Sequence, residues 1–233
     1  MISKCVKFLI GVLLLPVCAA VTQTVLSLVQ SLAPEAGVLL PPSGMALIGG
    51  FLLWQLLYLI LPRPARSYVL AHELTHALWG WLMGARIMDI KVRKETGSVT
   101  LSKSNFLVSL APYFFPFYTV LVIAAYGVLS FFTDVQVYEF WWLALVGLTW
   151  GFHVTCTLHS LLQRQSDIRD NGHLFSYALI YLMNVLGVAL WIVLVSSATP
   201  AELAGFFWPH FLQATAWSWT WLIRLADRAG SAQ

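Results

Sequence analysis

The chain has 233 residues, 59% of them hydrophobic and 10% charged, with a formal net charge of +3 and a mean hydropathy of +0.78. No soluble domain of this length buries so much apolar surface, so the composition excludes a soluble enzyme and identifies a polytopic membrane protein. The small positive charge, with no basic patch interleaved with aromatics, excludes a nucleic-acid partner and fits loop charges that orient a chain in a bilayer.

Apolar segments of about 20 residues satisfy their own backbone polar groups in lipid as helices, and the chain divides on that rule. Residues 5–32 form a first span beside Lys4 and Lys7. Its Cys18-Ala19-Ala20 imitates a signal-peptide cleavage site, but the apolar run continues beyond the length of such a signal, so an uncleaved anchor is expected. A loop with Pro34, Pro41 and Pro42 leads to a second span over 44–61, which Pro62-Arg63-Pro64 ends. The next helix covers 67–83. Alternation in Asp89-Ile90-Lys91-Val92-Arg93 and in Ser98-Val99-Thr100-Leu101-Ser102, with a turn at Thr96-Gly97, predicts a short β-hairpin. Further spans are expected over 106–132, 138–162 and 172–197, while the tryptophan-rich 206–225 reads either as a seventh span or as an interfacial helix. The fold class is thus an all-α polytopic membrane protein with six or seven apolar helices and a short β-hairpin after the third. Cys5, Cys18 and Cys156 have neither disulfide nor zinc-ligand spacing and read as packing residues. No G-x-x-x-x-G-K loop is present, so a nucleotide partner is not expected.

The helix over 67–83 contains His72-Glu73-Leu74-Thr75-His76. Two histidines one turn apart project together and can hold a zinc ion, while the glutamate on the adjoining flank can take a proton from water at the metal's open position. Shuffling this composition produces such a match roughly three times in a thousand, and ionisable groups within a membrane are usually functional. A catalytic zinc takes three protein ligands, so one more donor is required. The segment 165–173 supplies Asp167, Asp170 and His173 as candidates. His153 reads as a partner of the site or as a hydrogen-bonded packing residue, and Asn184, within the sixth span, needs a partner in the site or on a neighbouring helix. Pro112 and Pro116 free carbonyls and kink the fourth span, which either opens room near the zinc or shapes the helix. Arg63 and Arg66 precede the motif helix and five basic residues follow it between Arg86 and Lys103. A simple crossing would put positive loops on both sides, so a partly re-entrant arrangement is expected, with Arg63, the hairpin and Arg169 all on the cytoplasmic side.

The order of a buried H-E-x-x-H helix, a β-hairpin, the Ala111-Pro112-Tyr113-Phe114-Phe115-Pro116 segment and a later aspartate turn entering a helix resembles the site-2 protease family of intramembrane zinc metallopeptidases, in its compact bacterial-type branch without extra soluble domains. The resemblance covers about residues 67–184. The family's third ligand is the aspartate of a Leu-Asp-Gly motif, which this chain lacks; its nearest equivalents are Asp167 and Asp170, and the Gln165-Ser166-Asp167-Ile168 context resembles the compact branch more closely. The resemblance implies one catalytic zinc ion (Zn2+), Glu73 as catalytic base, His72, His76 and Asp167 (alternatively Asp170) as ligands, and a role in the site for Asn184, while His153 and Pro112 stay candidates for the substrate site or its surroundings on their own chemistry. It implies an intramembrane endopeptidase of a bacterial-type inner membrane, with a membrane protein or membrane peptide as substrate and the lipid bilayer as its surroundings. On this reading 1–66 are N-terminal spans, 67–197 the metallopeptidase core and 198–233 the tryptophan-rich terminal segment. A non-proteolytic scaffold or binding protein of the same family is the alternative, and an ion transporter a more distant one.

Overall fold

A computed structural model describes residues 3–32, 42–94 and 96–230. In chain order these form α1 (Lys4–Ser31), α2 (Pro42–Ile60), α3 (Ala65–Leu82), β1 (Ile87–Val92), β2 (Gly97–Leu101), α4 (Phe106–Leu110), α5 (Phe117–Leu129), α6 (Glu139–Leu161), α7 (Ser166–Asn171), α8 (His173–Val195) and α9 (Pro200–Gly230). They group into two compact units. One contains α1, α8 and α9, and the other runs from α2 to Asp167.

Among the described residues, four helices are long and apolar enough to cross a membrane: α1, α2, α6 with its leading turn, and α8. The bent pair of α4 and α5 would add a fifth if it is one span. The expected six or seven is therefore not reached on length and composition. The reasons are chemical: α3 includes Arg66, His72, Glu73 and His76, and α9 mixes its tryptophans with Glu202, His210 and Gln213. The expected span over 106–132 is broken by an 83° bend. Pro112 and Pro116 lack the N–H that would continue the helical ladder, and a 3₁₀ turn over Ala111–Tyr113 replaces it.

In the larger unit, α2 and α6 approach until their backbones touch. A β-carbon added at Gly147 would lie 1.9 Å from the carbonyl oxygen of Leu47, and one added at Gly50 would lie 1.9 Å from that of Ala144. Gly151, one turn beyond Gly147, faces Trp54 and the carbonyl of Phe51. Small residues four apart on both helices permit this approach, which in lipid must draw its stability from close contact rather than from exclusion of water. Gly147→Leu is expected to destabilise the protein by at least about 2 kcal/mol, because backbone atoms cannot swing aside. A drop in melting temperature in detergent checks this; an unchanged melt would mean that the two helices separate without cost.

At the other end of this unit, α3 finishes in a Schellman motif. Gly84, at φ 73°, reverses the chain, and the N–H of Ala85 reaches the carbonyl of Gly80 at 2.8 Å. The chain enters β1 directly. β1 and β2 pair antiparallel, with Arg93 N–H donating to the Thr96 carbonyl at the turn. Two glycines fix the hairpin on α3: the space where a β-carbon of Gly80 would sit is filled by Leu101, and that of Gly97 by the side chain of Glu73. Seven helical residues rise about 10.5 Å and four strand residues about 13 Å, so β2 runs alongside α3 and covers the face that presents Glu73. On the exposed face of β1, the Lys91 ammonium lies 2.7 Å from Asp89 and holds its carboxyl below the usual range.

In the smaller unit, α1 packs on α8 and α9. Cys18, Val21, Ala178 and Leu182 form its apolar centre, and polar side chains pair across it: Lys7 Nζ donates to Asn171 Oδ1 at 2.7 Å, and Ser27 Oγ lies 2.9 Å from His210 Nε2. Of the three cysteines, Cys18 and Cys156 are buried as expected of packing residues, whereas Cys5 is exposed in the first turn of α1.

Candidate active site

The larger unit brings one chemically distinctive group together. His72 and His76 project from the same face of α3 with their Nε2 atoms 3.2 Å apart. Asp167, in the first turn of α7, places Oδ2 3.8 Å from His72 Nε2 and 3.7 Å from His76 Nε2. Tetrahedral zinc with bonds of about 2.0–2.2 Å requires its ligand atoms to be roughly 3.3–3.6 Å apart. The observed triangle is close to one face of that tetrahedron, so the three residues can hold a metal ion without rearrangement of the backbone.

The orientation of each of these side chains traces to a local cause. His76 Nδ1–H donates to the carbonyl of Val108 at 2.8 Å, which assigns the ring proton to Nδ1 and turns the Nε2 lone pair toward the cluster. In a continuous helix the Val108 carbonyl would accept from the residue four positions on, and that residue is Pro112, which has no N–H. The kink that the two prolines impose is thus how α4 frees an acceptor for His76. Asn105 holds α4 in place by capping it, Oδ1 accepting from Val108 N–H at 3.0 Å. Asp167 is fixed from the same segment. Ser109 donates to its Oδ1 at 3.2 Å, and Tyr113, fully buried, donates to Oδ2 at 3.1 Å. The His72 ring packs edge-on against Tyr113, and its Nδ1 is 3.4 Å from the Tyr68 hydroxyl.

Pro112→Ala restores a backbone donor that competes with His76 for Val108. Metal affinity is expected to fall about tenfold, at the lower end of what loss of an outer hydrogen-bond partner to a ligand histidine costs. Titration of the metal-free protein with zinc reads this. Unchanged affinity would leave Pro112 with a packing role alone.

Glu73 is 7% exposed and lies against Gly97. With His72 it lines a cavity of about 850 Å³ that also reaches Tyr68, Cys156 and Ser160. Pro112 and His153, together with Tyr68 and His72, line a separate cavity with room for about one water molecule. His153 is buried on α6. Asp170 lies outside the cluster: it is exposed, and its Oδ1 is 3.4 Å from Arg169 Nε. Asn184 belongs to the other unit and donates from Nδ2 to the Ile180 carbonyl of its own helix at 2.8 Å. His173 is exposed at the start of α8. Sequence reading assigned no role to Val108 or Ser109, and gave Gly97 a turn but no contact with Glu73. For Val108 a signal existed, since it stands four residues before a proline, whereas nothing local marks Ser109.

A family model described as Peptidase M50B-like matches residues 44–150, which include His72, Glu73, His76, the hairpin and the kinked segment, and end before Asp167. Residues 44–150 are thus similar to this family. The match agrees with the site-2 protease resemblance of the sequence, and the apolar helices accord with an integral membrane protein. Searches of curated proteins and of solved structures returned no match.

Proposed function

We propose that the protein is an intramembrane zinc endopeptidase that hydrolyses a peptide bond of a membrane-associated substrate, in a bacterial-type inner membrane. The observation that carries this reading is the near-tetrahedral triangle of His72, His76 and Asp167 with Glu73 on the next flank of the same helix. When bound there, zinc supplies Lewis acidity toward a substrate carbonyl and lowers the pKa of a water molecule. Glu73 accepts the proton of the attacking water and returns it to the leaving amide nitrogen. The Val108 carbonyl holds His76 in the tautomer with a free Nε2, and Ser109 and Tyr113 keep both oxygens of Asp167 in place, so the residues need little reorganisation during the reaction. Water reaches Glu73 through the cavity it lines with His72.

A membrane-spanning helix keeps its carbonyls hydrogen-bonded within itself, so a substrate must unwind locally before attack. Among the described residues no third strand pairs with the hairpin, and β2 starts against Glu73, where an unwound segment can add as a strand.

The test is metal content together with cleavage of a model membrane peptide by the purified full-length protein. A chelator is expected to abolish cleavage and stoichiometric zinc to restore it. Zinc-loaded, folded protein that cleaves no membrane peptide would favour a non-proteolytic role.

A further inference from the structure

The described charged residues that line the cavity leading to Glu73 are mostly cationic. Arg63, Lys94 and Arg164 all line it, and among the described residues Glu73 is the only carboxylate that does. The three cations come from separate places in the sequence: the loop after α2, the tip of the hairpin and the turn after α6. All three are exposed, and none is among the ion pairs of the described residues. Arg63 is held at the rim, with Nη1 3.4 Å from His159 Nε2. Membrane orientation asks only that cations lie on one side of the bilayer. It does not ask them to converge on the entrance to a reactive centre.

We infer that this cavity receives a carboxylate-bearing stretch of the substrate, so that the preferred substrate is a membrane peptide with acidic side chains close to the scissile bond. The inference rests on the peptidase reading and deepens it. Arginine pairs with carboxylates through two parallel N–H donors, and cations at the entrance repel the lysine- and arginine-rich flanks that most membrane segments carry on their cytoplasmic side. Selection therefore works in both directions, attracting acidic flanks and rejecting basic ones.

The experiment uses the full-length protein in phosphatidylcholine vesicles with zinc, and one transmembrane peptide in three versions whose flank carries glutamate, glutamine or lysine. Cleavage is expected in that order of kcat/KM, with glutamate about tenfold above glutamine. In an Arg63→Gln/Lys94→Gln/Arg164→Gln variant the ratio between the peptides should approach one. Equal cleavage of all three by the unmodified protein, or a ratio that survives in the variant, overturns the inference. If the variant does not fold, raising salt with the unmodified protein takes its place: the ratio should shrink as exposed charges are screened, and a ratio indifferent to salt counts against the inference. Binding of the same peptides to the Glu73→Gln protein, followed by fluorescence anisotropy, reads the preference without hydrolysis. Ordered binding with no cleavage by the unmodified protein would remove the peptidase reading and keep the charge selection, whereas equal binding removes the selection. A parallel series in phosphatidylglycerol vesicles separates the lipid headgroup as the anion. If the variant loses only an effect of that lipid and keeps the peptide ratio, the cations serve the bilayer and the inference fails.

Discussion

Glu73→Gln is expected to slow peptide hydrolysis by about 10³-fold while zinc content stays at the level of the unmodified protein. Glutamine keeps the shape of the side chain and its fit beside Gly97 but cannot accept the proton of the attacking water. The measurement is kcat on a membrane peptide with metal analysis of the same preparation. Cleavage near the normal rate would remove Glu73 from the mechanism. Gly97→Val tests the same group from the other side of the contact. A β-carbon at this position would come within 2.5 Å of Glu73 Cγ and 2.6 Å of Oε1, so the carboxylate has to move. A displacement of this kind is expected to lower kcat about a hundredfold with zinc retained, since the misplaced base no longer lines up with its water. Full activity in this variant would mean that the hairpin does not set the position of Glu73.

Asp167→Asn should remove zinc and activity together, whereas Asp170→Asn should leave both largely intact. Asp167 Oδ2 faces both histidines at 3.7–3.8 Å, while Asp170 is exposed beside Arg169. An uncharged amide is a much poorer zinc donor than a carboxylate. The loss for Asp167→Asn should therefore exceed the roughly 10–100-fold that follows removal of an outer partner, the range expected for Ser109→Ala or Tyr113→Phe. Zinc titration of the metal-free variants orders them. Zinc kept in the Asp167 variant and lost in the Asp170 variant would transfer the ligand role to Asp170.

The pairing of His72 with His76 and the place of Glu73 beside them were legible because they depend only on the pitch of one helix. The hairpin was legible for a similar reason. Alternation of period two survives wherever the strands lie, and its expected segments over 89–93 and 98–102 match β1 and β2 within two residues at each end. The apolar spans over 5–32, 44–61, 138–162 and 172–197 correspond to α1, α2, α6 and α8, since length and hydropathy alone set them. The remaining spans were less readable. A hydropathy window registers the apolar character of 106–132 but not the direction of the chain after Pro112 and Pro116, and it cannot weigh the polar cluster of α3 against the membrane.

What this sequence determined by itself is local: His72, Glu73 and His76 on adjoining flanks of one helix, a hairpin after it, and helices apolar enough for lipid. Tertiary structure decided everything that joins distant positions. Sequence context favoured Asp167 but left Asp170 as an alternative, and the fold turns Asp167 toward α3 and leaves Asp170 exposed. The acceptor for His76 lies 32 residues away on Val108, and the donors to Asp167 lie 58 and 54 residues away on Ser109 and Tyr113. No periodicity encodes such contacts, because they arise when the chain bends at Pro112 and brings a freed carbonyl and two hydroxyls against His76 and Asp167. The same holds for Gly97, whose missing side chain leaves the space that Glu73 fills once β2 lies along α3.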